Sequence, residues 1–422
     1  MASISVWGPF QLSANSQTLG TVFLGMEGAG DAFAAPAWRD RMRVHVAQKI
    51  EDVEAHWRQL SPHSVESPGQ SYDFIRLWVR NRGLTEAEQR YVVGEVDGQV
   101  IAILPLHLKR VWGIKVFTWF PGSNAGCYAP IADMQRLAVL GAEGRKELWA
   151  AMTGALSGAG LLYLRSIPKE AGGQAGLFDE LGDVLETETL YRAQFASWAE
   201  CDAEQRSRSR RKHDRQQGDR LAALGAVSFE EVSDPELARP IIDLMFRQRS
   251  ERFRAQGIRD CFVEDNLTGF YQELMAPESG VKVILHVLRL DGAVVAVRYN
   301  IAVADSMFCL ISSMSDCSRI QVGSPGKQCL LRVMQSVFDA GYRVFDMGAG
   351  FTDEKRHWCN VQVPLRHHYV SLTPVGEVVL QAHMALQKLR AWAKASPAIK
   401  TLLRRVHRLS GPQGAKTASD EL

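Results

Sequence analysis

The chain has 422 residues, a formal net charge of +2, 46% hydrophobic residues and 23% charged residues. That composition excludes a disordered chain, and near-neutrality leaves no overall electrostatic pull toward nucleic acid or membrane. The length exceeds what one typical core absorbs and predicts two domains.

Seven cysteines (Cys127, Cys201, Cys261, Cys309, Cys317, Cys329, Cys359) are scattered, odd in number and without a C-x-x-C pair. This argues against a secreted disulfide scaffold or a zinc site and reads as buried thiols in a reducing compartment. The N-terminus lacks a basic region followed by a continuous apolar core, and no apolar run approaches the roughly 20 residues that span a bilayer. The expected location is the cytoplasm, with a peripheral place on the inner face of the membrane as its variant.

Residues 1–42 are rich in Gly, Ala and Ser, as in Gly25-Met26-Glu27-Gly28-Ala29-Gly30, and predict a flexible leader. From Arg43 a helical pattern is expected, with Val53, Trp57 and Leu60 at helix spacing and Ser61-Pro62 as its stop. A second helix carries Tyr72, Ile75 and Trp78. The run Tyr91 to Ile103 places two β-rich stretches around Asp97-Gly98, the preferred two-residue type I′ turn. The same phrase returns at His286 to Val297 around Asp291-Gly292, and each copy follows a helix with aromatics, Phe74 and Trp78 or Phe270 and Tyr271. A duplicated helix–hairpin unit is the expectation. After the second hairpin come a strand Ser306–Met314, a loop, a helix from about Gly326 to Ala340 and a strand Tyr342–Met347.

Between the copies, the basic run Arg206 to Arg215 leads into a short helix predicted to end at Gly225. After Val370, basic helices are expected over 376–409, interrupted by Pro397, with a disordered tail over 410–422. The division is thus a first domain over 43–200, a basic helix over 201–225 and a second, catalytic domain over 226–375.

The order helix, Asp-Gly hairpin, strand, loop, helix, strand is that of the GNAT acyltransferase fold. The sequence resembles the bacterial GNAT branch associated with cellulose and exopolysaccharide biosynthesis, itself related to the Fem-type peptidoglycan-bridge aminoacyltransferases. The landmarks are Leu104-Pro105-Leu106, Arg210-Arg211 with Arg220-Leu221 and Gly225, Asp291-Gly292 with Val295-Ala296, Ser324-Pro325-Gly326, and Phe345-Asp346-Met347-Gly348 with Gly350, Glu354-Lys355 and Trp358. The resemblance covers about residues 43 to 375. It implies an α+β chain of tandem GNAT-like folds, each a mixed sheet flanked by helices, and acyl transfer from a thioester.

A phosphate-bearing donor needs clustered backbone N–H groups, which a helix N-terminus supplies with a favourable dipole. The loop Gln321-Val322-Gly323-Ser324-Pro325-Gly326-Lys327 sits between a predicted strand and a helix. Gly323 and Gly326 permit close backbone approach, Pro325 suits a first helical turn, and Lys327 at that end makes sense beside an anion. GNAT enzymes carry Gln/Arg-x-x-Gly-x-Gly/Ala here to hold the coenzyme A pyrophosphate. This chain aligns as Gln321-x-x-Ser324-x-Gly326, with Ser for the first Gly, which leaves acyl-CoA, an acyl carrier protein and aminoacyl-tRNA open as donors.

Acyl transfer needs a group to take the acceptor's proton and another to stabilise an oxyanion. Asp346, Glu354, Lys355 and His357 cluster after the last strand around Gly348-Ala349-Gly350. Asp346 or Glu354 is expected to orient or deprotonate the acceptor, Lys355 to pair with it or stabilise charge, and Trp358 to form an aromatic wall. Arg210 and Arg211 are candidates for donor phosphates or an anionic acceptor, and Arg249 and Arg252 for an acceptor cleft. His367-His368 lacks further ligands at metal spacing, so no metal is expected. The expected acceptor is sugar- or lipid-linked, with membrane-associated polysaccharide synthesis machinery as partner. The alternatives are a tRNA-dependent Fem-type transferase and a non-catalytic partner of a polysaccharide synthase.

Overall fold

The computed structural model describes residues 38–395 apart from 62–64, 112, 122–125, 256, 258–259, 261–262 and 264. Most of the expected leader, Cys261, the basic stretch at Leu402 and the polar tail lie outside the described residues.

The first half opens with a short helix α1 (Trp38–Arg41) and strand β1 (Met42–Ala47). The helix expected from Arg43 is displaced here. Met42, Val44 and Val46 are partly buried while Arg43 and His45 are exposed, a period of two that suits a half-buried strand. Helix α2 (Glu54–Leu60) carries the 3.6-residue pattern, and Ser61 ends it by bonding its N–H and hydroxyl to the Trp57 carbonyl. Helix α3 (Tyr72–Asn81) buries Tyr72, Phe74, Ile75, Leu77 and Trp78.

Strands β2 (Gln89–Val96) and β3 (Gln99–Val111) form the first hairpin, with Asp97 and Gly98 at φ 52° and 73°. Then come β4 (Ile114–Thr118), β5 (Ile131–Ala132), α4 (Met134–Val139), α5 (Gly141–Gly154), β6 (Leu161–Pro168), a two-residue pair β7 (Glu170–Ala171) and β8 (Gln174–Ala175), and β9 (Asp183–Gln194).

Helix α6 (Trp198–Gln205) and helix α7 (Arg208–Ala222) link the halves. The basic run forms the first turns of α7 instead of leading into it, and the helix stops at Ala222 rather than Gly225. Gly225 serves another end: a Cβ there would lie 2.1 Å from the Asp291 carboxylate, which accepts the Ala226 N–H at 2.7 Å.

The second half repeats the plan with β10 (Val227–Val232), α8 (Pro235–Ala255), α9 (Thr268–Glu273), β11 (Lys282–Leu290), β12 (Ala293–Val303) and β13 (Ser306–Met314). Asp291 and Gly292 take φ 48° and 77° at the second hairpin. The two turns are tied alike: Asp97 N–H donates to Arg41 O at 2.9 Å and Asp291 N–H to Ala226 O at 2.8 Å. A short α10 (Ser318–Gln321) precedes α11 (Pro325–Asp339), β14 (Val344–Ala349), α12 (Asp353–Trp358), β15 (Val361–Ser371) and α13 (Pro374–Ala395).

The main sheet runs β1-β2-β3-β4-β6-β15-β9-β14-β13-β12-β11-β10, with β5 on β3. In each half a four-strand antiparallel meander ends beside a parallel strand, β6 beside β4 and β14 beside β13. The halves then exchange strands. β9, from the first half, pairs with β14, and β15, from the second, pairs with β6; the two meet antiparallel at the centre.

A shared core backs this exchange. Phe270 of α9 meets Phe74 at 5.2 Å and Trp78 at 5.0 Å, both edge to face. The aromatics that mark the two copies in the sequence thus pack against each other, a geometry worth about 1 kcal/mol per pair beyond area burial. The opposite face of the second half packs on α11 through Leu288, Ala296, Cys329 and Val333.

Candidate active site

A parallel pair of strands that stops pairing part-way leaves backbone groups facing a gap. β13 and β14 pair at Ser306↔Val344, Met307↔Phe345 and Phe308↔Asp346, and then part although both continue. β4 and β6 do the same after Val116↔Leu161 and Phe117↔Leu162.

The two splits end differently. In the first, Trp119 donates its indole N–H to Arg165 O at 2.9 Å and stacks on Tyr128 at 6.1 Å, while Tyr128 N–H bonds Ser166 O at 3.1 Å. Trp119, Phe120 and Tyr128 are at most 2% exposed, so aromatic side chains close that gap. In the second, the chain leaving β13 passes through the short helix α10 to the N-terminus of α11.

Ser324, just before α11, takes φ 50° and ψ 61°, and its hydroxyl caps no amide. This left-handed conformation is the one that glycine adopts freely. The position therefore keeps a glycine's backbone although this chain has serine where the motif has its first glycine. Pro325 occupies the first turn, as expected. Gly323 and Gly326 are small for packing reasons: a Cβ at Gly323 would sit 2.7 Å from Leu221 and one at Gly326 2.8 Å from the Met314 sulfur. Gln321 turns back on the Ser315 carbonyl, and Lys327 is exposed.

Beyond the split, Gly348 (φ 78°) and Gly350 (φ 84°) turn the chain into α12, whose Thr352 hydroxyl caps the Lys355 N–H at 3.2 Å. Asp346 is buried within β14, at its last pair with β13. Arg192 of β9 donates to it at 2.7 Å and faces the Glu66 carboxylate and carbonyl, each at 2.9 Å. Gly348 N–H adds a bond to Asp346 at 2.7 Å. Burial pushes the Asp346 carboxyl above its ordinary value against the pull of Arg192 and that amide. The guanidinium of Arg192 loses by burial and gains more from Asp346 and Glu66, so it stays charged.

Glu354 keeps a side-chain exposure of 34% and pairs at 3.2 Å with Arg298, which is 7% exposed on β12 and also approaches the Cys309 sulfur at 3.7 Å. Lys355, half-buried, donates to the Ala349 carbonyl, and burial lowers its ammonium below the ordinary lysine value. Trp358 is 4% exposed and packs on Trp198 at 6.2 Å, so it is a wall of the core beneath the loop.

The arginine candidates lie on α7 and α8. Arg210 pairs with Asp214 at 3.2 Å and Arg211 with Asp202 at 2.9 Å, and Arg206 bridges both acids. These ion pairs lock α6 to α7. Arg249 lies over the Phe253 ring at 4.5 Å, and Arg252 is exposed. Sequence reasoning missed Arg298, Arg192 and Glu66. A lone Arg within the apolar run of β12 was a usable signal; Glu66 offered none.

Among the described residues no group of His, Cys, Asp and Glu is placed to hold a metal ion, and no helix is long and apolar enough to cross a membrane.

Residues 208–356 match the model of the acetyltransferase (GNAT) domain. That span holds α7, the second meander, α11, β14 and most of α12. Among solved structures, FemX is similar over 80% of this chain and 98% of its own, with 11% identity and a TM-score of 0.51. The C-terminal domain (DUF2156) of a putative lysylphosphatidylglycerol synthetase from Agrobacterium fabrum is similar over 79% and 96%, with 14% identity and a TM-score of 0.48. A tandem GNAT protein from the clavulanic acid biosynthesis pathway is similar over 79% and 99%, with 13% identity and a TM-score of 0.37. No curated protein matches the chain by sequence. The fold is mixed α/β, with a GNAT domain match over residues 208–356 and the same meander-and-parallel-strand arrangement in the first half.

Proposed function

We propose that the chain is an acyltransferase, moving an acetyl or other acyl group from an acyl-CoA to an amine or hydroxyl. The acceptor we favour is sugar- or lipid-linked, in exopolysaccharide or envelope assembly, as the resemblance to the cellulose-associated branch implies. One observation carries the reading: the second strand split lies within the span that matches the GNAT domain, and the chain leaving β13 reaches the N-terminus of α11, by way of α10, through a left-handed residue.

The free amides of the first turn of α11 offer a seat for the donor's pyrophosphate, with Lys327 beside them. Of the two carboxylates, Glu354 is the better base, because it is reachable and Asp346 is enclosed by Arg192 and Gly348. In this reading Glu354 takes the proton from the acceptor N–H or O–H as it attacks the thioester carbonyl. The oxyanion forms near Lys355, then the C–S bond breaks, and the proton held by Glu354 passes to the departing sulfur so that CoA leaves as the thiol.

Thermal shift with acetyl-CoA, longer acyl-CoAs and free CoA tests the donor. At 100 times its dissociation constant a ligand adds about 2.7 kcal/mol to stability. A melting temperature unmoved by all three refutes the acyl-CoA donor.

A second reading, transfer from aminoacyl-tRNA, is favoured by the whole-chain likeness to FemX. It is weakened by the commitment of Arg206, Arg210 and Arg211 to Asp202 and Asp214. Binding of charged tRNA that falls steeply with salt supports it, and salt-indifferent binding counts against it.

A further inference from the structure

Helix α13 has two apolar faces. The inner one sits on the sheet: Leu380 is fully buried among Val116, Leu161, Tyr163 and Tyr369, Met384 packs beside it, and Gly376 lies against the Gly160 carbonyl. His383 of the same face meets the Tyr369 hydroxyl at 3.1 Å. The outer face carries Val375, Val378, Leu386, Leu389 and Trp392, with exposures of 60%, 69%, 43%, 57% and 61%. Exposed alanines, Ala382 and Ala385, fill the gaps between them. At 3.6 residues per turn these positions form one stripe on the side opposite Leu380 and Met384. Exposed Lys388 and partly exposed Arg390 flank it on either side.

Apart from Glu377 in the first turn of α13, the charge around the stripe is one-signed. From Val378 to Ser419 the sequence has eight Lys or Arg and no Asp or Glu, while the whole chain is only +2. The rest of the molecule is therefore net negative. A second copy of the helix laid on this stripe would bring like charges together. An anionic lipid surface answers both features, taking the apolar side chains at the acyl boundary and pairing the flanking cations with head groups.

We infer that the outer face of α13 docks the protein on a membrane surface rich in anionic lipid, with the helix lying in the interface plane. The inference is independent of the acyl-transfer reading. It assigns a partner to a surface that uses none of the site residues.

Flotation of the full-length protein with vesicles tests it, comparing equimolar phosphatidylglycerol and phosphatidylcholine with phosphatidylcholine alone, at low and high salt. Binding to the anionic vesicles that weakens with salt is expected. The pair Leu389→Glu with Trp392→Glu, and separately Lys388→Glu with Arg390→Glu, should each reduce partition about tenfold or more. Both pairs should keep the wild-type melting temperature, because Lys388, Leu389 and Trp392 are exposed. Wild-type binding by both folded variants overturns the inference, as does absence of binding to anionic vesicles. A dimer in sedimentation without vesicles that Leu389→Glu dissociates also overturns it, since a second copy then covers the stripe.

Discussion

Arg192 is the side chain that ties the two halves at the candidate site, and its replacement is the sharpest test of how that site is held. It stands on β9 between Glu66, 126 residues earlier, and Asp346, 154 residues later. The side chains of Arg192, Glu66 and Asp346 are 16%, 11% and 7% exposed. Arg192→Met keeps much of the packing volume and leaves two enclosed carboxylates without a cation. Breaking a buried pair from one side costs about 3–5 kcal/mol, and we expect a loss of about 4. Asp346→Asn, which leaves Arg192 with Glu66, should cost about 1–2 kcal/mol. In the double variant the second change removes a charge that the first had stranded. Its loss should therefore fall short of the sum by about 2 kcal/mol. Urea unfolding followed by fluorescence measures all three. The reasoning is refuted if Arg192→Met stays within about 1 kcal/mol of the parent, or if the double variant is additive within about 0.5 kcal/mol. The pH dependence adds a check. Asp346 holds its proton more tightly folded than unfolded, so above its ordinary value of 3.8 the folded state binds more protons. Its contribution to stability therefore falls as pH rises through that window, and Asp346→Asn should remove this slope.

Ser324→Gly relieves a left-handed serine worth about 1–2 kcal/mol of strain against about 0.4–1 kcal/mol of added unfolded-state entropy. A net gain of about 0.5–1 kcal/mol in thermal unfolding is expected, and Ser324→Val should lose stability. His107 and His368 are held down to about 4 and His367 to about 3, in each case chiefly by burial. The unfolded chain takes up these protons first, so stability present above pH 6.5 is lost as pH falls toward 4. For His107 alone this is about 2 kcal/mol by pH 5, and His107→Phe should flatten that share of a pH–urea series. Glu354→Gln should lower kcat about 10²- to 10⁴-fold with little change in donor KM; a raised donor KM at unchanged kcat would remove Glu354 from the chemistry.

Local chemistry explains what the sequence disclosed. Asp97-Gly98 and Asp291-Gly292 fix two hairpins because both residues must take positive φ, and the strands on either side follow. β13 was legible to its ends at Ser306 and Met314. β1 was not, because six residues of period-two pattern merge into the helical period that starts at Ile50. The strand exchange is beyond any local pattern. Neither β9 nor β15 was among the expected elements, and nothing in either sequence says that its neighbour lies in the other half. The same distance hid the ionic cluster. Asp346 stood out beside Gly348, but its partners Arg192 and Glu66 reach it only through the crossed pairing of β9. Trp358 and Arg210 stood out for their residue type, and burial against Trp198 and pairing with Asp214 are what the fold does with them.

The exchange also determines what the second half can do alone. β14 has β13 on one side and β9 on the other, and β9 belongs to the first half of the chain. A fragment starting at residue 201 lacks β9, so it presents an unpaired edge along β14, where open N–H and C=O groups template aggregation. It also leaves Asp346 buried without Arg192, at the cost argued above. β15, stripped of β9 and β6 together, loses both neighbours. The fragment is therefore expected to be insoluble or to lack cooperative unfolding, even though it contains α11, Ser324, Glu354 and Lys355. Supplying residues 38–200 in trans should restore a soluble complex that unfolds cooperatively. A fragment that is monomeric by sedimentation, melts cooperatively and shifts its melting temperature with CoA would mean that the first half is dispensable to the site. It would then follow that the closed first split is a remnant of duplication, and not the scaffold that completes the second.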